Sequence, residues 1–167
     1  MSEGETLDDN QKAIIENVEK FGWSVMHVTS DNPEAPTFCY SIGFEHTLGQ
    51  PEVLVYSLRR DLAGSMVNAL FHQCKDDGLE LTDGKAIGNL IEGYDCVARP
   101  IEDPRAWERH FGYAMWFHRY RDGKELRRAM QIVWPDPDSR AFPWEEDCSP
   151  GIRLGQIQLY PSGGPRV

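Results

Sequence analysis

The chain has 167 residues, a formal net charge of −10 and a hydrophobic fraction of 40%. This length predicts one domain with a real core, and the hydrophobic content excludes a disordered chain. The negative charge argues against nucleic acid as a partner, because nucleic-acid binding needs clustered Lys and Arg. No apolar run approaches the roughly 18 residues of a membrane span, and the acidic N-terminus does not resemble a signal peptide. We therefore expect a cytoplasmic protein without a membrane partner.

The four cysteines are widely spaced, at Cys39, Cys74, Cys96 and Cys148. Without a close pair they predict neither a zinc site nor a disulfide framework. The first three lie in apolar patterns and are expected to be buried free thiols. Cys148 lies in a polar loop and is expected to be the most reactive of the four.

The first predicted elements are a helix over about 10–21 and a strand over 23–29. Asp8 or Asp9 can cap the helix, and its apolar residues recur at helical spacing until Gly22 ends it. Both faces of the strand carry apolar residues, which is typical of a strand that is covered on both sides.

The stretch 37–58 predicts two strands joined by a polar loop that contains glycine. Tyr40 alternates with Ser41 along the first strand, and the apolar run after Glu52 forms the second. A helix over about 59–77 follows, closed by Gly78.

The second half of the chain begins with one or two strands over 79–99. A helix over 104–120 carries aromatic residues on nearly all sides, so it is either deeply buried or docked on something. A strand over 129–134 and a surface segment rich in Pro and Gly follow, with a short strand expected at 157–160.

Several short motifs agree in order with a known family. They are Gly22-Trp23, F-x-Y-[ST]-I-G at 38–43, Pro51-Glu52, Q-x-V-W-x-D at 131–136 and F-P-W at 142–144. In this combination, over roughly 14–160, the chain resembles the bacterial family called domain of unknown function 4262. The resemblance implies a shared fold and brings no mechanism with it.

The fold class predicted from these elements is α+β. We expect a single domain over 10–160 with a mostly antiparallel sheet of five to six strands and about three helices. Short strands joined by tight turns favour antiparallel pairing, and regular βαβ alternation is missing. The segments 1–9 and 161–167 are expected to be flexible tails.

The sequence contains no catalytic signature, so the catalytic residues stay unknown. It indicates no metal site and no cofactor. His46 lies beside Glu45, with Glu52 six residues on, and a His–carboxylate pair can do acid–base work. The alternative is that these are exposed polar loop residues. His27 alternates with apolar residues and is expected to be a hydrogen-bonded core histidine.

A second candidate region combines aromatic, acidic and proline residues over 131–144. Gln131 interrupts an apolar strand, so we predict that it lies near Tyr40 or Ser41, with the loops of Glu52 and Asp136 at a common edge of the sheet. The alternative is a hydrogen-bond network that only fixes strand register, with the aromatic residues closing the sheet. The candidate ligand-binding residues are Tyr40, Ser41, His46, Glu52, Gln131, Trp134, Asp136 and Trp144.

One basic cluster stands out in this acidic chain: Arg119, Arg121, Lys124, Arg127 and Arg128. It is either a solvated charged face or a group that steers a small anion locally.

Three functions remain open. The first is a non-catalytic module that binds a small molecule or a protein. The second is an enzyme that acts on a small polar substrate through Tyr40, His46, Glu52 and Asp136. The third is an assembly protein that forms a homodimer through the aromatic helix over 104–120.

Overall fold

Six strands form one mixed sheet in the computed structural model, which describes residues 6–166. The strands are β1 (Ser24–Val28), β2 (Phe38–Ile42), β3 (Glu52–Tyr56), β4 (Ala86–Ile91), β5 (Tyr94–Pro100) and β6 (Ala129–Val133). Their order in the sheet is β1-β2-β3-β6-β5-β4, and every neighbouring pair is antiparallel except β3 and β6. The predicted α+β class with a mostly antiparallel sheet is confirmed.

Helices cover both faces of this sheet. They are α1 (Asp9–Phe21), α2 (Phe44–Leu48), α3 (Arg60–Asp76), α4 (Pro104–His110), α5 (Gly112–Asp122) and α6 (Pro150–Gly155). Alternate strand residues point to opposite faces, so Val55 packs in a core with α3 while Tyr56 packs in a core with α1 and α5. The central strands are buried on both sides for this reason.

The helix predicted over 104–120 is present in two pieces, α4 and α5. Phe111 leaves the helical conformation, with φ −112° and ψ 33°, and its buried ring packs against Tyr40 with centroids 5.3 Å apart. The break frees the backbone N–H of Tyr113, which donates to the Tyr40 hydroxyl at 3.0 Å. Aromatic packing on the sheet therefore outweighs the continuity of the helix.

The connection between β2 and β3 contains the short helix α2, where the sequence predicted only a polar loop. Gly43 and Gly49 flank this helix with φ of 107° and 68°. Both values lie in the left-handed region that glycine adopts without steric cost. The two glycines therefore turn the chain into and out of a single helical turn.

The short strand expected at 157–160 is absent. Side-chain amides, and not a ladder of backbone hydrogen bonds, join this segment to β6. The amide of Gln131 donates to the carbonyl of Ile157 at 2.9 Å and accepts from the N–H of Leu159 at 3.1 Å. The amide of Gln156 makes the same pair of hydrogen bonds with the backbone of Trp134. Two side-chain amides thus fix this segment against β6.

The segment that follows is held by the buried side chain of Arg99. Its guanidinium donates to the carbonyls of Pro161, Gly163 and Gly164 and pairs with Asp83 at 2.8 Å. The tail predicted from residue 161 thus begins with three hydrogen-bonded carbonyls. The first five residues of the predicted N-terminal tail lie outside the described part of the chain.

None of the helices within residues 6–166 combines the length and the hydrophobicity that crossing a membrane would require.

Candidate functional site

The carboxylate of Glu52 lies at the start of β3 and is fully buried. It accepts hydrogen bonds from the Ser41 hydroxyl at 2.8 Å, the Gly43 N–H at 3.1 Å and the Phe44 N–H at 3.0 Å. The two backbone donors belong to the start of α2, whose N-terminal N–H groups have no partner within the helix. Glu52 therefore ties the end of β2 and the start of α2 to β3.

The fourth donor to this carboxylate is His118, which α5 places over the sheet. Its Nε2 lies 2.8 Å from Oε2 of Glu52, and both side chains are buried. Burial lowers the pKa of His118, but the hydrogen bond and charge of Glu52, with the charges of Asp122 and Glu45, outweigh it and raise the pKa overall. The protonated imidazole is thus favoured beside its carboxylate.

The other ring nitrogen of His118, Nδ1, has no hydrogen-bond partner among residues 6–166. The same part of the chain contains no side-chain nitrogen or oxygen that is both buried and unpaired. Nδ1 therefore reaches the surface of the cavity against which His118 packs. We call this cavity of about 350 Å³ the His118 pocket; it is lined by Glu45, His46, His118, Asp122, Lys124, Glu125 and Arg127.

Each surface carboxylate of the His118 pocket already has a basic partner. The pairs are Asp122 with His46 at 3.0 Å, Glu125 with Arg119 at 2.8 Å, and Glu45 with Arg128 at 2.9 Å and Arg127 at 3.3 Å. The ammonium group of Lys124 has no ion-pair partner in the described chain. The Lys124 ammonium and Nδ1 of His118 are therefore open to a ligand, as is Nε2 of His46, whose Nδ1 alone contacts Asp122.

The basic cluster predicted from the sequence surrounds this pocket. Lys124 and Arg127 line it, and Arg119 and Arg128 pair with its carboxylates. Arg121 points elsewhere and lies 3.5 Å from Glu19. Four of the five cluster residues thus lie at this pocket, where Arg119, Arg127 and Arg128 face carboxylates and only Lys124 of the four lacks an ion-pair partner among the described residues.

The structure brings together three of the predicted site residues. Ser41 and Glu52 are hydrogen-bonded, and His46 lines the pocket above them, although its partner is Asp122 and not Glu52. Tyr40 lies beneath α5, where its hydroxyl accepts the N–H of Tyr113, and burial raises its pKa to about 12. Tyr40 is therefore a packing residue and not a proton-transfer group near neutral pH.

Gln131 and Asp136 do not join this site. Gln131 lies in a row across the sheet with Leu54 and Tyr40, but its amide binds the C-terminal segment. The predicted common edge for Glu52 and Asp136 is wrong. Since β3 and β6 are parallel, Glu52 at the start of β3 and Asp136 after the end of β6 lie at opposite ends of the sheet.

Trp134 and Asp136 make structural contacts at that far end, and Trp144 packs on Arg99 of β5. Asp136 accepts hydrogen bonds from the N–H groups of Asp138 and Ser149, both at 2.9 Å, so its carboxylate stabilises the turn in which it lies. The Trp134 indole donates to the Tyr56 carbonyl at 3.0 Å. Trp144 stacks on Phe142 and on the guanidinium of Arg99. The alternative that these residues only stabilise the fold therefore accounts for Trp134, Asp136 and Trp144.

The residue of the candidate site that is missing from the sequence prediction is His118. The sequence placed it on an aromatic helix without a partner, since the partner is 66 residues away along the chain. The signal was Glu52 itself, an acid at the head of an apolar strand. Such a carboxylate, once buried, requires a basic or hydrogen-bonding partner.

No group of three or more His, Cys, Asp or Glu side chains within residues 6–166 is arranged to hold a metal ion. The Glu52–His118 pair, with one open imidazole nitrogen, is instead suited to hydrogen bonding and proton transfer.

Comparison with models of protein families shows which family the chain belongs to. The model of the family described as Domain of unknown function (DUF4262) matches residues 17–149. The chain belongs to this family. Comparison with curated proteins and with solved structures finds no match. Two of the sequence motifs that carry the resemblance meet at the site, because Ser41 and Gly43 of the motif at 38–43 donate hydrogen bonds to Glu52 of the Pro51-Glu52 motif.

Proposed function

We propose that this domain is a non-catalytic binding module for a small anionic ligand, which occupies the His118 pocket. The observation that carries the proposal is Nδ1 of His118, an open polar atom on a buried imidazole whose other nitrogen is fixed by Glu52. A protonated imidazole presents an N–H donor at this atom, and an anion is its natural acceptor.

The electrostatics of the pocket support an anion over a cation. Lys124 is without an ion-pair partner among the described residues, whereas the three surface carboxylates of the pocket are engaged by Arg and His side chains. A small anion can therefore bind Lys124 and His118 without displacing an existing ion pair. A cation would have to compete with those side chains for the carboxylates.

The runner-up is an enzyme that uses the same pair for acid–base chemistry on a small polar substrate. The specific observation in its favour is the carboxylate–imidazole hydrogen bond of 2.8 Å, which orients the ring and leaves one nitrogen to exchange a proton. The predicted participation of Tyr40 and Asp136 has no support from their positions, since one hydroxyl is buried under α5 and the other side chain lies at the far end.

The third function, assembly through the helix over 104–120, is not our proposal. Ala114, Phe117 and His118 of α5 pack inward on the sheet. The stacked pair Trp116 and Tyr120 remains only half-buried, with centroids 5.1 Å apart. Inward packing accounts for most of the aromatic content that led to the assembly hypothesis.

The test is a titration of isotope-labelled protein with acetate, malonate and inorganic phosphate, followed by NMR. We expect at least one of these anions to shift the signals of His118 and Lys124. In the variant His118→Gln the side-chain amide can still donate to Glu52, but the ring nitrogen Nδ1 is gone. The affinity for the anion should therefore fall at least about tenfold, which is the effect of losing a hydrogen bond to a charged group. Arg121→Gln is the matched control and should bind as the wild type does.

Saturation without loss in His118→Gln, or no response to any of the anions, would overturn the proposal. The same samples separate the two leading functions. A ligand that is recovered unchanged after prolonged incubation supports the binding module, whereas a new product whose formation requires His118 supports the enzyme. Native mass spectrometry of the purified protein then identifies any ligand carried from the cell.

A further inference from the structure

A second cavity lies at the opposite end of β3 from Glu52. Its volume is about 260 Å³, and we call it the His27 cavity. It is enclosed by the end of β1, the start of β2, the end of β3 and the first turn of α3. The residues that carry the argument are His27, Cys39, Val55, Arg60 and Ala63.

The floor of the His27 cavity is apolar. Cys39, Val55 and Ala63 are buried members of the core between the sheet and α3, and they form the inner wall of the cavity. Burial raises the pKa of Cys39 to about 12, so its thiol behaves as a small neutral hydrophobic group. This wall can pack against hydrocarbon and offers no charged group to a ligand.

The mouth of the cavity is basic. Arg60 has no ion-pair partner in the described chain, whereas the neighbouring Arg59 lies 3.8 Å from Asp61. His27 is half-buried, and its ring makes no hydrogen bond with any residue between 6 and 166. The expectation of a hydrogen-bonded core histidine is therefore wrong. Burial, and then the positive charge of Arg60, lower the pKa of His27. The positive charge at this end of the cavity is therefore that of Arg60.

We propose that the His27 cavity binds a small organic carboxylate with an apolar body. The carboxylate pairs with Arg60 and accepts a hydrogen bond from His27, while the body fills the space above Cys39, Val55 and Ala63. Neither a purely polar anion nor a neutral hydrocarbon both neutralises Arg60 and covers the apolar floor. The first leaves the apolar floor exposed to water, and the second desolvates Arg60 without neutralising it.

The volume limits the size of the ligand. A water molecule takes about 30 Å³ of liquid, so the cavity of about 260 Å³ has room for a ligand of about nine non-hydrogen atoms. Phenylacetate is close to this size and combines a carboxylate with an apolar ring, which makes it a suitable probe. 2-Phenylethanol has the same body without the charge, and acetate has the charge without the body.

The experiment is an NMR titration of the full chain with these three probes. Phenylacetate is expected to shift the signals of His27, Arg60 and Ala63 and to raise the pKa of His27, because a bound carboxylate offsets the charge of Arg60. 2-Phenylethanol and acetate should each bind at least about tenfold more weakly, since each lacks one of the two interactions.

Arg60→Gln should weaken phenylacetate at least about tenfold, because it removes the charge at the mouth. The matched control is Arg105→Gln, an exposed arginine on α4 that should leave the affinity unchanged. If phenylacetate does not bind, binds no better than 2-phenylethanol, or binds equally well to Arg60→Gln, the proposal is wrong.

This inference is independent of the His118 pocket. His118→Gln should bind phenylacetate as tightly as the wild type does, because the two cavities lie at opposite ends of β3. Phenylacetate shifts confined to His118 and Lys124, with none at His27, Arg60 or Ala63, would assign the probe to the other site and overturn the inference. Success or failure at one site thus leaves the result at the other intact.

Discussion

Glu52 and His118 form a buried pair that joins β3 to α5 by a 2.8 Å hydrogen bond between Oε2 and Nε2. The same carboxylate accepts the N–H groups of Gly43 and Phe44, so one side chain connects a strand, a short helix and a long helix. A group with four donors around it is both a stabilising element and the support that orients His118 toward its pocket.

The first prediction concerns removal of this carboxylate. Glu52→Ala leaves an imidazole and two backbone donors in the core without an acceptor, so we expect a loss of about 3–5 kcal/mol in the free energy of unfolding. Urea denaturation measures it. The matched control is Glu45→Ala, which removes a surface carboxylate next to Arg127 and Arg128 and should cost no more than about 1 kcal/mol. Similar losses in both variants would contradict a structural role for the buried pair.

The second prediction follows from the raised pKa of His118. A histidine whose pKa is higher in the folded than in the unfolded protein stabilises the fold fully below its unfolded value of about 6.5. That contribution is lost as the pH rises through the folded value. The difference in unfolding free energy between the wild type and His118→Gln should therefore shrink as the pH rises above about 6.5.

Two other histidines make the comparison with the variant necessary. Burial lowers the pKa of both His27 and His110, so each favours the folded state more as the pH rises. These effects are common to the wild type and to His118→Gln and cancel in the difference. A difference that stays constant over the whole range would show that the charge of His118 contributes nothing.

The third prediction uses the two glycines that flank α2. An added Cβ at Gly43, where φ is 107°, would lie 2.9 Å from the carbonyl oxygen of Gly22, which is backbone and cannot move aside cheaply. At Gly49, where φ is 68°, the space around an added Cβ is open. A left-handed conformation alone costs an L-residue roughly 1–2 kcal/mol.

We therefore expect Gly49→Ala to lose only that amount and Gly43→Ala to lose about 3 kcal/mol or more, because steric overlap adds to the strain. Thermal unfolding of the two variants side by side measures the gap. Equal losses would mean that the backbone around Gly22 yields at no cost. The result also tests why the motif of residues 38–43 ends in glycine.

The elements that the sequence predicted correctly are those whose pattern is local. The helical spacing of apolar residues predicted α1 and α3, period-two alternation predicted β2, and a continuous apolar run predicted β3. The helix α2 was not predicted, because a helix of five residues is too short to show the helical period of apolar residues.

The contacts of the site that were not predicted join residues far apart in the sequence. Ser41 and Glu52 were predicted because their motifs lie close together, but the partner of Glu52 is on α5. The common edge for Glu52 and Asp136 was wrong for a related reason. Nothing near either residue indicates that β3 and β6 run parallel.

The fourth prediction concerns Arg99, whose guanidinium lies 4.7 Å from the ring of Trp144 and 4.5 Å from the ring of Tyr160. Lysine keeps the charge but has neither the planar fork that serves several carbonyls nor the flat face that stacks on rings. Arg99→Lys should therefore lower the free energy of unfolding by about 1–3 kcal/mol.

The same variant should accelerate trimming of the C-terminal residues by a carboxypeptidase, since Arg99 holds the carbonyls of Pro161, Gly163 and Gly164. Arg105→Lys on the exposed side of α4 is the control and should change neither quantity. Unchanged trimming in Arg99→Lys would mean that the other contacts of the segment, such as the Arg166 N–H with Asp83, hold it without Arg99.

The last prediction concerns the thiols, where the structure reverses an expectation. Cys148 was expected to be the most reactive, but it is buried with its Sγ directed at the Ser149 carbonyl, and burial raises its pKa. Burial also raises the pKa of Cys39 and Cys96 to about 12. Cys74, with a pKa of about 11, is the only half-buried cysteine of the four.

At about pH 8 a thiol with a pKa of about 11 is a thiolate only about one part in a thousand of the time. We therefore expect a disulfide reagent such as DTNB to react slowly with the native protein, and with Cys74 before the other three. Unfolding in urea should expose all four thiols to rapid reaction. Cys74→Ser should remove the earliest native phase, and Cys148→Ser, the control, should leave that phase intact. If Cys148→Ser removes it instead, the loop around Ser149 opens often enough to expose a thiol that the fold buries.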